Sequence, residues 1–218
     1  MDTQKILADP IVQKIIRAIN INCTDKNSHH DCYDFLRKIC TINNDGVTKT
    51  VFLHDNWDFV IKVSNYHRYP SRNYCELEKQ HYQSAKQFRV ERVLLETEVL
   101  TELSNGITLY VQPRYDENNS SYSWDIQKRR RLEKKLNNQA RSCPTEKALG
   151  GMYEAYRIER TWFCRVVQLY GKKFARALEA WSHANKIGDL HGSNIGWYQD
   201  RPVILDYAGY YGEEYYNY

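Results

Sequence analysis

Apolar residues recur every three or four positions in two stretches of the chain, the spacing that places them on one face of a helix. Near the beginning, Asp9-Pro10 is a helix-start signal, because aspartate caps a first turn and proline fits its first position. The pattern that follows predicts an amphipathic helix over about residues 10–20. A longer pattern predicts a helix over roughly residues 152–184, with Gly171 as the position of a kink.

Short segments rich in β-branched and aromatic residues follow the first of these helices. Residues 34–41, 49–54 and 58–64 are separated by turn residues, and the pattern predicts three strands of an antiparallel meander. The preceding run, residues 21–33, is polar and rich in turn-forming residues, and it predicts a loop or linker.

In the middle of the chain, helical, strand-like and polar patterns follow one another. Residues 73–103 return to helical spacing and predict one or two helices, and residues 107–112 predict a strand ended by Pro113. Residues 116–123 are polar and predict a loop. Residues 127–142 carry a run of lysine and arginine, which we interpret as the solvated face of a helix, with attraction of an acidic substrate or nucleic acid as the alternative.

Composition narrows the class of protein. The chain has 218 residues, 42% of them hydrophobic and 27% charged, which is typical of a folded domain and excludes collagen-like, low-complexity and membrane-embedded proteins. The length predicts one large domain or two closely joined lobes. The formal net charge of +4 is too small to indicate nucleic acid as the main partner. Because the first residues do not resemble a secretory signal, we expect a cytoplasmic protein.

The cysteines do not indicate a disulfide framework. The six of them include no C-x-x-C pair, a pattern that favours reduced thiols in a cytosol. One group has enough ligand types for zinc, but its spacing matches no standard zinc finger. That group consists of Cys23, His29, His30, Cys32 and Cys40.

The chemistry-bearing residues lie near the end of the chain. Asp189 and Asn194 are five positions apart in a glycine-containing loop, and Asp206 follows a short apolar run. Residues 195–197 and 203–205 predict a hairpin, which would bring Asn194 beside Asp206. An amide oxygen and a carboxylate are hard ligands suited to magnesium on a polyphosphate. Asp189 remains at the start of the loop, where a carboxylate would accept a proton from an attacking hydroxyl.

This arrangement resembles the catalytic loop and the magnesium-binding aspartate of the eukaryotic-type protein kinase superfamily. The spacing is D-x-x-x-x-N, followed twelve residues later by an aspartate after an apolar strand. The resemblance covers roughly residues 35–209. It implies an ATP- and Mg²⁺-dependent phosphotransferase in which Asp189 is the base and Asn194 and Asp206 hold the metal.

An upstream strand strengthens the resemblance. Residues 59–63, Phe-Val-Ile-Lys-Val, resemble the V-A-I-K strand, whose lysine holds the nucleotide phosphates. The resemblance gives that role to Lys62 and implies a glutamate partner on the next helix. Glu76 and Glu78 are both candidates, and Glu78 is favoured because its side of the helix carries fewer charges.

The fold class implied by the resemblance is α+β, with the two lobes of a protein kinase and an active site in the cleft between them. Residues 1–34 would form an amino-terminal helix and linker. Residues 35–112 would form a small lobe built on an antiparallel sheet. Residues 113–218 would form a minimal, truncated helical large lobe with a tyrosine-rich tail, which we interpret as covering apolar surface rather than as a site of phosphorylation or docking.

The chain departs from the kinase pattern at three places. Between residues 40 and 50 only Gly46 represents the glycine-rich loop, and the Asp-Phe-Gly tripeptide is replaced by Asp206-Tyr207-Ala208. The chain ends at Tyr218, before an activation segment and the remaining large-lobe helices. The polar residues that could replace the glycine-rich loop are Thr41, Asn43, Asn44, Thr48 and Lys49.

One histidine indicates which group within the kinase superfamily the chain resembles. His191 stands two residues after Asp189, as in aminoglycoside and choline phosphotransferases and in small kinase-like proteins of bacteriophages and bacteria. Together with residues 202–207, Pro-Val-Ile-Leu-Asp-Tyr, it is most similar to the phage-type group, whose members phosphorylate host proteins on serine and threonine. We therefore expect ATP and Mg²⁺ as cofactors, a protein substrate in the host cytoplasm, and neither membrane nor nucleic acid as a partner. The alternatives are a small-molecule kinase and a pseudokinase that acts as an adaptor.

Overall fold

The computed structural model describes residues 1–26, 28–44, 48–66, 72–115, 160–187, 194–199 and 201–209. These residues form a mixed α+β structure with a five-stranded antiparallel sheet and several helices. The chain divides into two units. The first unit comprises residues 1–79 and 96–114, and the second comprises residues 80–95 and 115–218.

The first unit begins with two helices, α1 (Thr3–Leu7) and α2 (Pro10–Asn22). The helix predicted over residues 10–20 is thus confirmed as α2. The Asp9 carboxylate caps it by accepting hydrogen bonds of 2.8 and 3.0 Å from two backbone N–H groups of the first turn. The run 21–33, predicted as a loop, contains the end of α2 and a 3₁₀ helix at His29–Cys32.

The strand predicted over residues 34–41 is wrong. A short helix, α3 (Tyr33–Leu36), and a turn occupy most of this stretch, and the first strand, β1 (Thr41–Asn43), begins only at its end. The aromatic content of the segment favoured a strand, but its buried side chains recur at helical spacing, so the burial requirement decides the conformation. Those side chains are Tyr33, Leu36 and Cys40.

The strands predicted around residues 49–54, 58–64 and 107–112 are confirmed. In order of sequence, the remaining strands of the sheet are β2 (Lys49–Leu53), β3 (Phe59–Ser64), β4 (Glu98–Glu102) and β5 (Thr108–Pro113). Their order across the sheet is β1-β2-β3-β5-β4, and every neighbouring pair is antiparallel. Helix α4 (Tyr74–Phe88) connects β3 towards β4.

The helical interpretation of residues 73–103 is correct for α4 and wrong for its last part. A 3₁₀ helix at Glu91–Val93 follows α4, and β4 then pairs with β5 as a hairpin. The turn between these strands contains Gly106, whose φ of +80° is a left-handed conformation that glycine adopts without steric cost. Pairing with β5 thus overrides the local helical spacing of the apolar residues.

The two faces of the sheet differ in chemistry. Val51 lies opposite Lys62 in the β2–β3 ladder, and Lys49 lies two residues before Val51. Because side chains alternate along a strand and opposite residues share a face, Lys49 and Lys62 lie on the same face. The other face packs into an apolar core with α2 and α3. That core includes Ile15, Ile19, Leu36, Phe52, Ile61, Val63, Leu109 and Val111.

The second unit contains the later part of α4, a long helix and a hairpin. The helix is α5 (Arg160–Ala184), and Gly171 interrupts it with φ 82° and ψ 168°, so the predicted kink is confirmed. The predicted hairpin is also confirmed, as β6 (Ile195–Tyr198) paired with β7 (Arg201–Ile204). The core of this unit includes Trp162, Val166, Leu178, Trp181, Ile187 and Tyr207. Within the described ranges, no helix combines the length and the apolar character needed to cross a membrane.

Candidate functional site

A buried ion pair joins β3 to α4 in the first unit. The Lys62 ammonium lies 3.0 Å from Oε2 and 3.3 Å from Oε1 of Glu78. The Lys62 side chain is nearly buried and the Glu78 side chain is fully buried. Thr97 donates a hydrogen bond of 3.1 Å to Glu78 Oε2, and Gln112 donates one of 3.0 Å to Thr97 Oγ1. The carboxylate is therefore held by a charged partner and a hydroxyl together.

Helix α4 presents Glu78 because its buried positions recur at helical spacing. The buried residues of this face follow one another at steps of three or four positions, and they are Tyr74, Glu78, His81 and Ala85. A carboxylate in such a stripe is costly to bury unless it is paired and hydrogen-bonded. The contacts of Glu78 with Lys62 and Thr97 meet that requirement.

Glu76, the other candidate partner of Lys62, has different contacts. Lys79 lies 3.0 Å from Glu76 Oε1, and the Tyr110 hydroxyl donates a hydrogen bond of 3.2 Å to Oε2. Burial, and then the negative charge of Glu76, raises the pKa of Tyr110 above its usual value. The structure thus pairs Lys62 with Glu78, while Glu76 lies in a more exposed pair.

A second lysine contacts the same carboxylate. The Lys49 ammonium lies 3.2 Å from Oε1 of Glu78, and the Lys49 side chain is almost fully buried. Sequence reasoning named Lys49 only as one of five polar substitutes for a glycine-rich loop. The signal for its contact with Glu78 is the strand register, which becomes visible only once β2 and β3 are paired.

In the second unit, the hairpin brings Asn194 and Asp206 together. Ile195 lies opposite Ile204, so Asn194 directly precedes this first pair of the ladder and Asp206 lies two residues after it. The Asn194 carbonyl accepts hydrogen bonds of 2.7 Å from the Leu205 N–H and 3.5 Å from the Asp206 N–H. These contacts bring the two backbones together, and a side-chain amide and a carboxylate are of the ligand types that Mg²⁺ accepts.

The segment after Asp206 is fixed by contacts that sequence reasoning missed. The carbonyl of Tyr207 accepts a hydrogen bond of 2.8 Å from Nδ1 of His81, and the Tyr207 hydroxyl donates one of 2.6 Å to the carbonyl of Leu95. Because a carbonyl oxygen only accepts, Nδ1 is a protonated nitrogen of His81. The indole of Trp181 donates to the His81 carbonyl at 3.2 Å. These contacts hold the backbone directly after Asp206.

Several sequence-based predictions lie outside the described residues. They concern Asp189 and His191 in the predicted catalytic loop, Gly46 between β1 and β2, the basic run 127–142, and the tyrosines that follow residue 209. The first part of the long helix predicted from residue 152 also lies outside them. Of the five predicted site residues, the structure therefore describes four. It brings Lys62 to Glu78 in one unit and Asn194 to Asp206 in the other.

Cysteines in the first unit form a buried thiol pair. The Cys23 thiol approaches the Cys32 sulfur at 3.8 Å, and Cys32 Sγ donates to the His29 carbonyl at 3.1 Å. Burial raises the pKa of Cys32 to about 12 and that of Cys40 to about 11, which favours thiols over metal-binding thiolates. Among the residues that the structure describes, no group of three or more His, Cys, Asp or Glu side chains could hold a metal ion.

Comparisons of the chain with protein-family models, with curated proteins and with solved structures found no match. A functional assignment therefore has to come from the chemistry of the two residue groups, Lys62 with Glu78 and Asn194 with Asp206.

Proposed function

We propose that the protein is an ATP- and Mg²⁺-dependent phosphotransferase with a two-lobed, protein kinase-like fold. Its acceptor is a serine or threonine hydroxyl of a protein. The observation that carries the proposal is the buried pair of Lys62 and Glu78. Lys62 lies on the third strand of the sheet and Glu78 on the helix that follows it, as the kinase resemblance implies for a small lobe.

The pair has the chemistry to bind a nucleotide triphosphate. Glu78 orients the Lys62 ammonium and keeps a compensating charge beside it. The ammonium supplies a localised positive charge and N–H donors for the α- and β-phosphate oxygens. A lysine placed only for stability gains little from such burial, because desolvation of an ion pair offsets most of its Coulomb attraction.

In this proposal, Asn194 and Asp206 hold the metal and Asp189 handles the proton. Bound Mg²⁺ would neutralise charge on the β- and γ-phosphates. Asp189 orients the acceptor hydroxyl and accepts its proton as the oxygen bonds to the γ-phosphorus. The bond to the bridging oxygen of ADP breaks in the same transfer, so the products are a phosphorylated hydroxyl and ADP. His81 and Tyr207 support this chemistry by fixing the backbone next to Asp206.

The acceptor class follows from the resemblance to the phage-type group. In this proposal the substrate is a host protein, and the reaction takes place in the host cytoplasm. The test measures transfer of labelled phosphate from Mg·ATP to the protein itself, to proteins of a cell lysate and to a panel of aminoglycosides, choline and sugars. Wild type is compared with Asp189→Ala and Asp206→Asn.

We expect label on serine or threonine of a protein, with a loss of at least about a hundredfold for Asp189→Ala, the scale of a lost general base. Asp206→Asn should also lower the rate, because it removes the carboxylate proposed to hold Mg²⁺. Label on a small alcohol would replace the protein substrate by a small molecule. Nucleotide binding without transfer would indicate an adaptor and contradict the proposal.

A further inference from the structure

Two cysteines of the first unit are in contact at the ends of neighbouring helical elements. Cys23 is the residue directly after α2, and Cys32 is the last residue of the 3₁₀ helix at His29–Cys32. Their sulfur atoms are 3.8 Å apart, and the Cys23 thiol donates its hydrogen to the Cys32 sulfur. A disulfide bond between them therefore needs an approach of only about 2 Å.

Hydrogen bonds fix both ends of this contact. The Asn105 side chain donates to the carbonyls of Ile19 and Cys23 at 3.2 and 3.0 Å, which holds the end of α2. The Cys32 thiol donates to the His29 carbonyl at 3.1 Å, which holds its sulfur against the 3₁₀ helix. The two sulfurs are therefore brought together by backbone positions that are themselves fixed.

The thiol pair lies close beneath the surface. Cys23 is 4% exposed and Cys32 is 2% exposed. The chain neighbours Asn22 and Thr24 on either side of Cys23 are exposed, and so is Asp31, which precedes Cys32. Exposed segments with few buried contacts open locally at low cost in free energy. A small oxidant therefore needs only a local opening of this segment to reach the sulfurs.

Another cysteine of the same apolar core provides an internal comparison. Cys40 is 8% exposed, and its thiol donates to the Leu36 carbonyl at 3.4 Å. The Cys23 thiol instead contacts a second sulfur. Burial alone is therefore common to these cysteines, whereas the sulfur–sulfur contact distinguishes Cys23 and Cys32.

The two thiols of the pair differ in acidity. Burial raises the pKa of both of them. The hydrogen bond with Cys32 acts against burial and lowers the pKa of Cys23, whereas the charge of an ionised Cys23 raises that of Cys32 further, to about 12. Because the thiolate is the nucleophile, Cys23 is the sulfur that reacts first.

We propose that Cys23 and Cys32 are a peroxide-reactive pair that closes to a disulfide and fastens the end of α2 to the 3₁₀ helix. The Cys23 sulfur attacks one oxygen of hydrogen peroxide, the O–O bond breaks, and the products are a sulfenic acid and water. The Cys32 sulfur then attacks the Cys23 sulfur, the S–O bond breaks, and a second water leaves. Two thiols are thus oxidised to one disulfide while one peroxide is reduced to two waters. The inference goes beyond the proposed function and needs no nucleotide.

The test is treatment of the reduced, native full chain with hydrogen peroxide, followed by alkylation of the remaining thiols and peptide mass spectrometry. Cleavage after Lys26 separates the two cysteines, so a disulfide between them appears as a linked pair of peptides. Wild type is compared with Cys23→Ser, Cys32→Ser and the matched control Cys40→Ser. Parallel samples contain dimedone, which labels sulfenic acids, or are reduced afterwards with dithiothreitol.

We expect wild type and Cys40→Ser to form the Cys23–Cys32 disulfide at least about tenfold faster than any other, because sulfurs in contact react as an intramolecular pair. Dithiothreitol should restore both thiols. In Cys32→Ser the sulfenic acid has lost its partner, so dimedone should label Cys23. Cys32 in Cys23→Ser should take up at least about tenfold less label, since it is the less acidic thiol.

Two outcomes would overturn the inference. A Cys23–Cys32 pair that stays reduced in native wild type, while other cysteines are oxidised or while the urea-unfolded chain forms the disulfide, would show that the contact is structural only. Equal dimedone labelling of the two serine variants would refute the order of the steps. The wild-type measurement needs no variant, so the test remains decisive if a serine variant does not fold.

Discussion

The Lys62 ammonium lies 3.0 Å from the Glu78 carboxylate, and the two side chains come from a strand and a helix separated by nine residues of chain. Glu78 is fully buried, and Lys49 and Thr97 bind it as well. Removing the carboxylate charge would therefore take a negative partner from two buried ammonium groups at once.

Glu78→Gln should destabilise the first unit by roughly 3–5 kcal/mol, the cost of breaking a buried ion pair from one side. The measurement is the free energy of unfolding from urea denaturation. Glu76→Gln is the control on the same helix, and its partly exposed pair with Lys79 should contribute less than about 1 kcal/mol. Equal losses in the two variants would contradict the role given to Glu78.

Tyr207→Phe should lower stability by about 1 kcal/mol, because it removes the 2.6 Å hydrogen bond to the Leu95 carbonyl and leaves that acceptor buried. The control is Tyr198→Phe on the half-buried strand β6, which should have little effect. In the proposed enzyme, Tyr207→Phe should also lower the rate of phosphate transfer more than it weakens nucleotide binding. A variant with wild-type stability and rate would show that the contact does not fix the segment after Asp206.

Gly209→Ala should cost more stability than Gly106→Ala. Both glycines have φ of +80°, so alanine meets the same left-handed backbone penalty of about 1–2 kcal/mol at each site. A Cβ at Gly209 would also lie 3.3 Å from the Lys186 carbonyl oxygen, whereas at Gly106 it would meet nothing within 4 Å. Chemical denaturation of both variants measures the difference. A larger loss for Gly106→Ala would show that the backbone near Gly209 is not tightly packed.

Stability should fall as the pH rises above about 9, and Cys32 should account for part of the fall. Burial raises the pKa of Cys32 from 9.0 to about 12 in the folded chain. Between these pH values the unfolded thiol loses its proton while the folded thiol keeps it, so ionisation favours unfolding. Burial raises the pKa of Tyr33 and of Cys40 as well, and both contribute in the same direction.

The measurement is urea denaturation between about pH 8 and pH 11, under reducing conditions, for wild type and Cys32→Ala. The variant should be less stable at the lower pH and should lose less stability with rising pH. Parallel curves for the two proteins would mean that Cys32 ionises in the folded state as readily as in the unfolded one.

The sequence predicts correctly the elements that have a long apolar pattern or clear capping and turn residues at their ends. Helix α2 has both an apolar stripe and the Asp9 cap, and the β6–β7 hairpin has a turn between two short apolar runs. Residues 34–41 and 98–102 are too short for periodicity to separate strand from helix. Burial of Leu36 accounts for the helix in the first segment, and pairing with β5 accounts for the strand in the second.

Only some contacts of the candidate site could be predicted from the local sequence. The kinase resemblance named Lys62, and the charge pattern of α4 favoured Glu78, and the structure shows these two side chains in contact. The contact of Lys49 with Glu78 depends on the β2–β3 register, and that of His81 with Tyr207 joins residues 126 positions apart. Neither has a local pattern, because each arises from tertiary packing.

Transfer of the γ-phosphate of Mg·ATP to protein, measured for wild type, Lys62→Met and Lys79→Met, tests the proposed phosphotransferase most sharply. We expect transfer by wild type and by Lys79→Met, and a rate at least about a hundredfold lower for Lys62→Met, which lacks the ammonium that holds the phosphates. Circular dichroism of the three proteins establishes that they are equally folded. Transfer by a folded Lys62→Met at the wild-type rate would show that the Lys62–Glu78 pair is not part of a phosphotransferase site.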